Sequence, residues 1–359
     1  MKDKKIVIKL KHLYENDPVD RLRGRDIYLE LKKRGYNVEL YNLQKKIDIL
    51  LNLDDKSTAL PLFLRQEVQI KKVIFDIQDD HFTYNQHAMK IINNKIYKPS
   101  LLNRIKKLNK EKIKNKLLSR FVHKFNTYLF KEYVRKADFV ITSSYSLERI
   151  AKNYNKNVRC IPDSVDFSLY PKKSFYNNNE VNVVWMGTIG NIPYLIIVDK
   201  VLYELQKKYN IKVKIISSKE IFNNPYSKQF LEKFSFNFEF IEWKKDTFGY
   251  ELTKADIGIA PLPDKIVKSS NKVLSYMASG LPVVCSSVYD YKILNKKYKD
   301  ILFIATNQEE WKKSLEKLIL NKKLRAEKGE KGRQIAQDFS LENIVNEYEK
   351  LFRNLFTYE

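Results

Sequence analysis

The sequence predicts an α/β protein made of two Rossmann-like domains, each built on a parallel sheet, followed by a C-terminal helical segment. Three observations support this fold class. Short apolar strands alternate with helical segments, the alternation pauses once and then starts again, and 359 residues are enough for two domains of ordinary size. The two domains are expected to face a central cleft.

The first domain opens with a β-α-β unit. Residues 5–10 (KIVIKL) are typical of a buried strand, residues 26–34 have apolar side chains at helical spacing, and Gly35 stands where a helix ends. A domain over residues 1–165 is therefore predicted. Its further elements are strands at 37–41, 47–51, 72–77, 138–142 and 158–161, with a helix around 60–69.

A basic helical insertion is expected inside this domain at residues 90–136. It contains fifteen Lys and Arg residues against two acids, and therefore +13 of the chain's net charge of +24. Its apolar residues recur at helical spacing, which indicates an amphipathic helix. A solvated surface helix and attraction to an anionic membrane surface explain this pattern equally well.

A second β-α-β series follows a linker at residues 166–181, which is rich in asparagine and lacks periodicity. This series predicts a domain over residues 182–340. A helix over 341–359 is expected to return to the first domain. The elements of the second domain are strands at 182–186, 212–217, 236–243, 255–260, 281–285 and 301–304, with helices at 194–209, 270–279 and most of 309–356.

Composition excludes several classes of protein. A hydrophobic content of 43% excludes a mainly disordered chain despite the net charge of +24. Two distant cysteines and four scattered histidines form neither a disulfide framework nor a metal-ligand pattern. The chain has no signal-peptide pattern and no apolar run long enough for a membrane span, so we expect a cytoplasmic protein. The positive charge is compatible with nucleic acid, an anionic membrane or a phosphate-rich substrate.

The most informative segment is residues 261–286 (PLPDKIVKSSNKVLSYMASGLPVVCS). It predicts a helix that Gly280 ends and that begins at the carboxyl end of a strand, where free N–H groups and the helix dipole attract anions. An ordinary strand–turn–helix connection with exposed lysines explains the segment equally well. The residues suited to cap or flank the helix start are Lys268, Ser269, Ser270, Asn271 and Lys272.

This segment resembles the donor-binding half of the GT-B glycosyltransferase family often called group 1 or family 4. The resemblance rests on KVLSYMASGLPVV at 272–284, preceded by ADIGIAP at 255–261. VVWMGT at 183–188 is similar to the first strand and glycine turn of that half, and IPDSVDFSLY at 161–170 is similar to the segment between the domains. The resemblance covers about residues 160–345.

The resemblance implies an enzyme of the hexosyltransferase type. Such an enzyme transfers a sugar from a nucleotide-sugar co-substrate, usually with retention of configuration and without a metal or cofactor. The nucleoside diphosphate that leaves needs cations and N–H donors. No two aspartates are separated by one residue, so the D-x-D metal motif of the other large glycosyltransferase fold is absent. The implied donor-binding residues are Gly187, Thr188, Lys219, Lys268, Ser269, Ser270, Asn271, Lys272 and Ser275.

The chain departs from the family pattern at two places. The family often has two glutamates eight positions apart, and this chain has Val267 and Ser275 there. The Arg and Lys that usually follow the first glycine turn are also missing. Either Lys219, Lys268 and Lys272 take their place or donor binding is altered, and a degenerate, inactive subunit is the alternative.

The first domain offers candidates for catalysis and acceptor binding. Asp80 and His81 follow an apolar strand, so we expect them to contact the transferred sugar or to orient the acceptor hydroxyl. Arg21 and Arg23 are candidates for an acceptor phosphate. The alternative explanations are that Asp80 and His81 form an exposed turn and that Arg21 and Arg23 are ordinary surface arginines.

The leading hypothesis is a glycosyltransferase that extends a lipid-linked or cell-surface polysaccharide acceptor, with its basic insertion at the inner face of the cell membrane. The alternatives are a nucleotide-sugar epimerase or hydrolase on the same fold, and a basic nucleic-acid-binding protein. The lysines lack the signature of a known nucleic-acid-binding motif, so no nucleic acid is expected as a partner. The sequence leaves the nucleotide, the sugar and the linkage open.

Overall fold

A computed structural model divides the chain into two units, the first formed by Met1–Cys160 together with Leu355–Glu359 and the second by Ile161–Asn354. The structure describes residues 1–10, 20–41, 46–53, 69–79, 127–174 and 179–355.

The first unit contains a sheet of six strands in the order β2-β1-β3-β4-β5-β6, and all the registered pairs are parallel. Its strands are β1 (Ile6–Lys9), β2 (Val38–Leu40), β3 (Lys46–Leu53), β4 (Gln69–Ile77), β5 (Phe139–Thr142) and β6 (Val158–Cys160). Its helices are a π-helical turn (Asp20–Arg25) that leads into α1 (Asp26–Lys33), α2 (residues 127–136) and α3 (Tyr145–Ala151).

Local sequence explains where these elements begin and end. Every residue of β1 is buried, as expected for a strand covered on both faces of a parallel sheet. Gly35 follows α1 with a φ of 81°, a left-handed conformation that favours glycine. The α3 helix, which the sequence analysis did not predict, is only seven residues long and begins at Ser144, whose hydroxyl accepts a hydrogen bond from the Leu147 N–H.

Two predictions for the first domain fall largely outside the described residues. These are the helix around 60–69, where only Gln69 is described and belongs to β4, and the basic insertion at 90–136, where only residues 127–136 are described and form α2.

The second unit contains a sheet of six strands in the order β12-β11-β10-β7-β8-β9, again with parallel pairs. Its strands are β7 (Val181–Met186), β8 (Ile211–Ser217), β9 (Phe238–Glu242), β10 (Ile257–Ala260), β11 (Val283–Ser286) and β12 (Phe303–Ala305). Its α-helices are α4 (Asp199–Lys208), α5 (Pro225–Leu231), α6 (Phe248–Thr253), α7 (Asn271–Ala278), α8 (Tyr289–Lys297), α9 (Gln308–Leu320), α10 (Lys322–Ala336) and α11 (Leu341–Asn354).

The helix predicted at 194–209 is shorter than expected. Residues Ile189–Ile197 form 3-10 turns that contain Pro193, and the α-helix begins only at Asp199.

Residues 161–174, at the start of the second unit, form hydrogen bonds with residues later in the same unit. The Val165 N–H donates to the carbonyl of Phe339, and the buried ammonium of Lys173 donates to the carbonyl of Thr253 at 2.7 Å. Burial lowers the pKa of Lys173 to about 8. The start of the predicted linker is therefore structured by contacts with the C-terminal helical region and with the end of α6.

The prediction of two α/β units with parallel sheets and a C-terminal helical region is confirmed. Across the part of the chain that the structure describes, no helix is long and apolar enough to cross a membrane.

Candidate functional site

The second sheet has its topological switch point between β7 and β10. The chain runs from β7 to β8 and β9 on one side, and then returns to place β10 on the other side of β7. In open α/β sheets, ligands bind outside the carboxyl ends of the strands at such a point. The loop after β7 and the helix α7, which follows β10, therefore enclose the position where a ligand is expected.

Tyr276 of α7 holds the carboxyl ends of these two strands apart. Its hydroxyl accepts a hydrogen bond from the Met186 N–H at 2.7 Å and donates one to the carbonyl of Ile259 at 3.2 Å. A Cβ atom on Gly258 would lie 2.7 Å from the Tyr276 ring, so the ring occupies the space of a side chain on β10. The phenol thus replaces direct pairing of the strands at the switch point.

We expect Tyr276→Phe to lower the free energy of unfolding by about 1–3 kcal/mol, because a buried N–H and a buried carbonyl each lose a partner. Urea unfolding of wild type and variant measures the change. Tyr250→Phe is the matched control, since the Tyr250 side chain is 53% exposed. Equal loss in both variants would show that the hydroxyl of Tyr276 does not bridge the strands.

Gly187 follows β7 and packs against two groups of the site. A Cβ atom at this position would lie 2.7 Å from the Trp185 ring and 3.2 Å from Nζ of Lys272. The Gly187 N–H donates to the carbonyl of Ile216, and its own carbonyl accepts a hydrogen bond from Ser217 Oγ at 2.7 Å. The backbone here is fixed, and the absence of a side chain leaves room beside the Lys272 ammonium.

Lys272 is the unusual residue of the site. Its Nζ atom is buried and has no hydrogen-bond partner among the described residues. Nζ lies 4.3 Å from the centroid of the Trp185 ring, and this cation–π contact supplies only part of the solvation that water would give. Burial, reinforced by the charge of Lys268, lowers the pKa of Lys272 to about 7. An anion that reaches this ammonium would supply the missing partner.

The N-terminus of α7 adds backbone donors next to Lys272. Ser270 is the N-cap residue, but its side chain makes no capping hydrogen bond. The first N–H groups of a helix have no acceptor within the helix, and the positive end of the helix dipole lies there. Lys272 and this helix start therefore form one positively charged group of donors, to which the half-buried Lys268, Ser269 and Asn271 are adjacent in the chain.

The other predicted donor residues have different surroundings. Ser275 is buried, and its Oγ atom accepts a hydrogen bond from the Tyr170 hydroxyl at 3.1 Å. Lys219 is exposed and pairs with Glu242 at 3.5 Å. Thr188 is exposed as well. The structure thus brings Gly187 and Lys272 together, while Ser275 is held by the segment that precedes the second sheet.

In the first unit, Arg23 is fully buried rather than on the surface. Its guanidinium forms a buried ion pair with Asp76, with Nε–O distances of 3.0 and 3.1 Å. This pair accounts for Arg23 structurally, and its acceptor role stays a prediction. Arg21 belongs to the π-helical turn, but its side chain lies outside the described residues, as do Asp80 and His81.

Trp185 and Tyr276 are parts of the site that the sequence alone does not reveal. Both residues have the apolar pattern of core positions, and both are fully buried. Their contribution arises from tertiary contacts, namely the ring beneath Nζ of Lys272 and the hydroxyl between two strands. The sequence contains one indication, a tyrosine within an apolar helix. A tyrosine that is buried in this way needs a hydrogen-bond partner for its hydroxyl.

A comparison with known protein families finds a match within the second unit. Residues 180–321 match the family model described as glycosyl transferases group 1. No curated protein matches the sequence of this chain.

Solved structures share the fold at low identity. HepE of Anabaena, in complex with UDP and glucose, matches with a TM-score of 0.64 at 11% identity over 98% of this chain and 99% of HepE. A glycosyltransferase from Rickettsia africae matches with a TM-score of 0.59 at 12% identity over 99% and 100% of the two chains.

TarM of S. aureus is a longer protein with the same fold. Its complex with fondaparinux, alpha-GlcNAc-glycerol and UDP matches with a TM-score of 0.57 at 16% identity over 85% of this chain. The match covers 55% of TarM, so this chain spans about half of its length. At such identities the structural matches show the GT-B fold alone, and that prediction is confirmed.

Proposed function

We propose that the chain is a group 1 glycosyltransferase that transfers a hexose from a UDP-sugar to a lipid-linked or cell-surface glycan acceptor. The observation that carries the proposal is the buried ammonium of Lys272, which lies beside Gly187 at the switch point and has no hydrogen-bond partner in the described part of the chain. The HepE structures with UDP and with UDP-glucose, and the TarM complex with UDP, support a uridine nucleotide as the donor group.

The geometry fits the charge that the reaction develops. Cleavage of the bond between the sugar and the diphosphate leaves the electron pair on a phosphate oxygen, which increases its negative charge. Fixed positive groups in a site without water stabilise such a leaving group strongly. We assign this role to Nζ of Lys272 and to the first N–H groups of α7, with Lys268 adding long-range charge.

A nucleotide panel tests the donor assignment. We expect UDP and UDP-glucose to raise the melting temperature of the full chain by several degrees, because a ligand at one hundred times its Kd stabilises the folded state by about 2.7 kcal/mol. GDP-, dTDP- and CMP-sugars are the comparison set. If no nucleotide raises the melting temperature, the alternative of an inactive subunit is favoured. Val267 and Ser275, which replace the usual glutamates, are the basis of that alternative.

UDP affinity and the stability of the free protein should respond to pH in opposite directions. The pKa of Lys272 falls from its usual 10.5 to about 7 on folding, so the unfolded chain binds more protons between these values and the free energy of unfolding rises with pH across that window. UDP needs the protonated ammonium, so its affinity should be highest below about pH 7 and fall above it.

Thermal unfolding and calorimetric titration with UDP at several pH values test this prediction. Lys173, whose pKa is also lowered, contributes to the stability trend but not to the affinity trend. Lys272→Met should therefore remove most of the pH dependence of affinity in the alkaline range. An affinity for UDP that stays constant in wild type as pH rises from about 7 would contradict the assignment.

For catalysis we propose Asp80 and His81, which follow β4 in the sequence and contact the transferred sugar or the acceptor hydroxyl. His81→Ala should reduce turnover while leaving the UDP-induced shift in melting temperature unchanged, because the donor nucleotide binds to the second unit. Unchanged turnover would remove His81 from the mechanism.

For the cellular location we propose the inner face of an anionic membrane, on the basis of the +13 charge over residues 90–136. Flotation with vesicles that contain phosphatidylserine should recover the chain at low salt and lose it at high salt. Binding to duplex or single-stranded nucleic acid in gel shifts, without binding to vesicles, would contradict the membrane assignment.

A further inference from the structure

The first sheet has a switch point of its own, between β1 and β3. The chain leaves β1 for β2 on one side and then places β3 on the other side of β1. Lys9 ends β1, and its Cα partner on β3 is Asn52, next to the last residue of that strand. Side chains of paired residues project from the same face of a sheet, so these two polar side chains lie together at the ligand-binding end of the strands.

Asn52 is buried without the partners that a buried amide requires. It is 1% exposed, and neither its Oδ1 nor its Nδ2 atom has a hydrogen-bond partner among the described residues. Leaving such a group unsatisfied is unfavourable, and buried side-chain polar groups in folded proteins almost always have partners. Folding alone therefore does not explain why an asparagine stands here.

The neighbouring residues emphasise the contrast. On the same face, the Cα partner of Asn52 on β4 is Phe75. The centroid of the Phe75 ring lies 5.4 Å from that of Phe130 and 4.5 Å from that of Tyr133. A leucine at position 52 would suit this apolar surrounding. On the opposite face, the Asp76 carboxylate accepts hydrogen bonds from Arg23 and Gln78.

We propose that Lys9 and Asn52 form a second ligand site, in the first unit, for a sugar or polyol hydroxyl that lies beside an anionic group. An amide both donates and accepts hydrogen bonds, which is what a hydroxyl needs, and the 8% exposed Lys9 contributes a cation on the same face. The inference rests on the proposed function, in which it assigns the acceptor to an anionic polyol or sugar phosphate.

Glycerol 3-phosphate is the smallest probe with this chemistry. Saturation-transfer NMR with the full chain, in the presence of saturating UDP, detects binding outside the donor site. We expect a saturable signal from glycerol 3-phosphate, a signal at least tenfold weaker from glycerol at the same concentration, and no displacement of the glycerol 3-phosphate signal by equimolar inorganic phosphate. No saturable binding of glycerol 3-phosphate would overturn the proposal, and displacement by equimolar inorganic phosphate would overturn the role of the hydroxyl.

The Asn52→Leu variant assigns the signal to this position. It should abolish the glycerol 3-phosphate signal and raise the melting temperature of the free protein, because an unpaired buried amide is removed. The matched control is Asn182→Leu in the second unit, where Oδ1 of a buried asparagine likewise has no hydrogen-bond partner among the residues that the structure describes. It should leave the signal intact. Asn52→Ser, which is smaller and still polar, serves if the leucine variant does not fold.

The outcomes separate this inference from the proposed function. A normal UDP-induced shift in melting temperature together with unchanged glycerol 3-phosphate binding in Asn52→Leu rejects the second site alone. A chain that binds neither UDP nor a UDP-sugar rejects the proposed function, whatever it does with glycerol 3-phosphate.

Discussion

Lys272→Met should weaken UDP binding roughly 10- to 100-fold, because a hydrogen bond to a charged group is worth about 1.5–3 kcal/mol. The same substitution should raise the melting temperature of the free protein. In the absence of a ligand, Nζ of Lys272 is buried with no hydrogen-bond partner among the described residues, and methionine fills similar space without a charge. Loss of affinity together with a gain in stability is the signature of a residue kept for binding. Calorimetry with UDP and thermal unfolding measure the two effects.

The matched control is Lys292→Met, which makes the same change on the exposed side of α8. It should change neither UDP affinity nor stability by more than the small amounts usual for surface substitutions. Equal affinities of Lys272→Met and wild type would show that the diphosphate does not reach this ammonium.

Arg23→Met should lower the free energy of unfolding of the first unit by about 3–5 kcal/mol, since it removes the guanidinium that pairs with the buried Asp76 carboxylate. Replacing both partners with apolar residues, as in Arg23→Met with Asp76→Leu, should recover most of that loss. Urea unfolding and amide hydrogen exchange of β1 and β4 measure the effect.

Arg135→Met is the control for this pair, because it breaks a surface ion pair with Glu132 in the same unit. The Arg135 side chain is 46% exposed, so the expected loss is within about 1 kcal/mol. If Arg23→Met proves as mild as Arg135→Met, Arg23 is available to a ligand, and the acceptor role predicted from the sequence regains support.

The sequence predicted the fold well because local patterns determine it. Strands such as β1 are continuous apolar runs, and glycines such as Gly35 and Gly280 adopt positive φ where helices end. The motif at 272–284 also located α7 and β11 correctly, and with them the helix start at the switch point.

The details of the site could not be predicted in the same way. Whether the ammonium of a lysine is solvated or buried depends on distant residues, and Nζ of Lys272 is buried beside Trp185 at the end of β7 and Gly187 directly after it. Likewise, Ser275 is held by Tyr170, which lies 105 residues earlier in the chain. Such long-range contacts have no sequence periodicity.

We assign different roles to the positive charge of the donor site and to that of residues 90–136, which together belong to a net charge of +24. The donor site uses one buried ammonium and a helix start, whereas +13 lies in residues 90–136. Salt should therefore weaken vesicle binding much more than UDP binding, because screening acts mainly on exposed charges.

Release of UDP from UDP-glucose by the full chain is the most direct test of the central claim, that the switch point of the second sheet binds and activates a nucleotide sugar. We expect release by wild type, faster with a membrane extract as acceptor source, and strongly reduced release by Lys272→Met but not by Lys292→Met. Release that Lys272→Met leaves unchanged, or no release by wild type with any acceptor source, would contradict it.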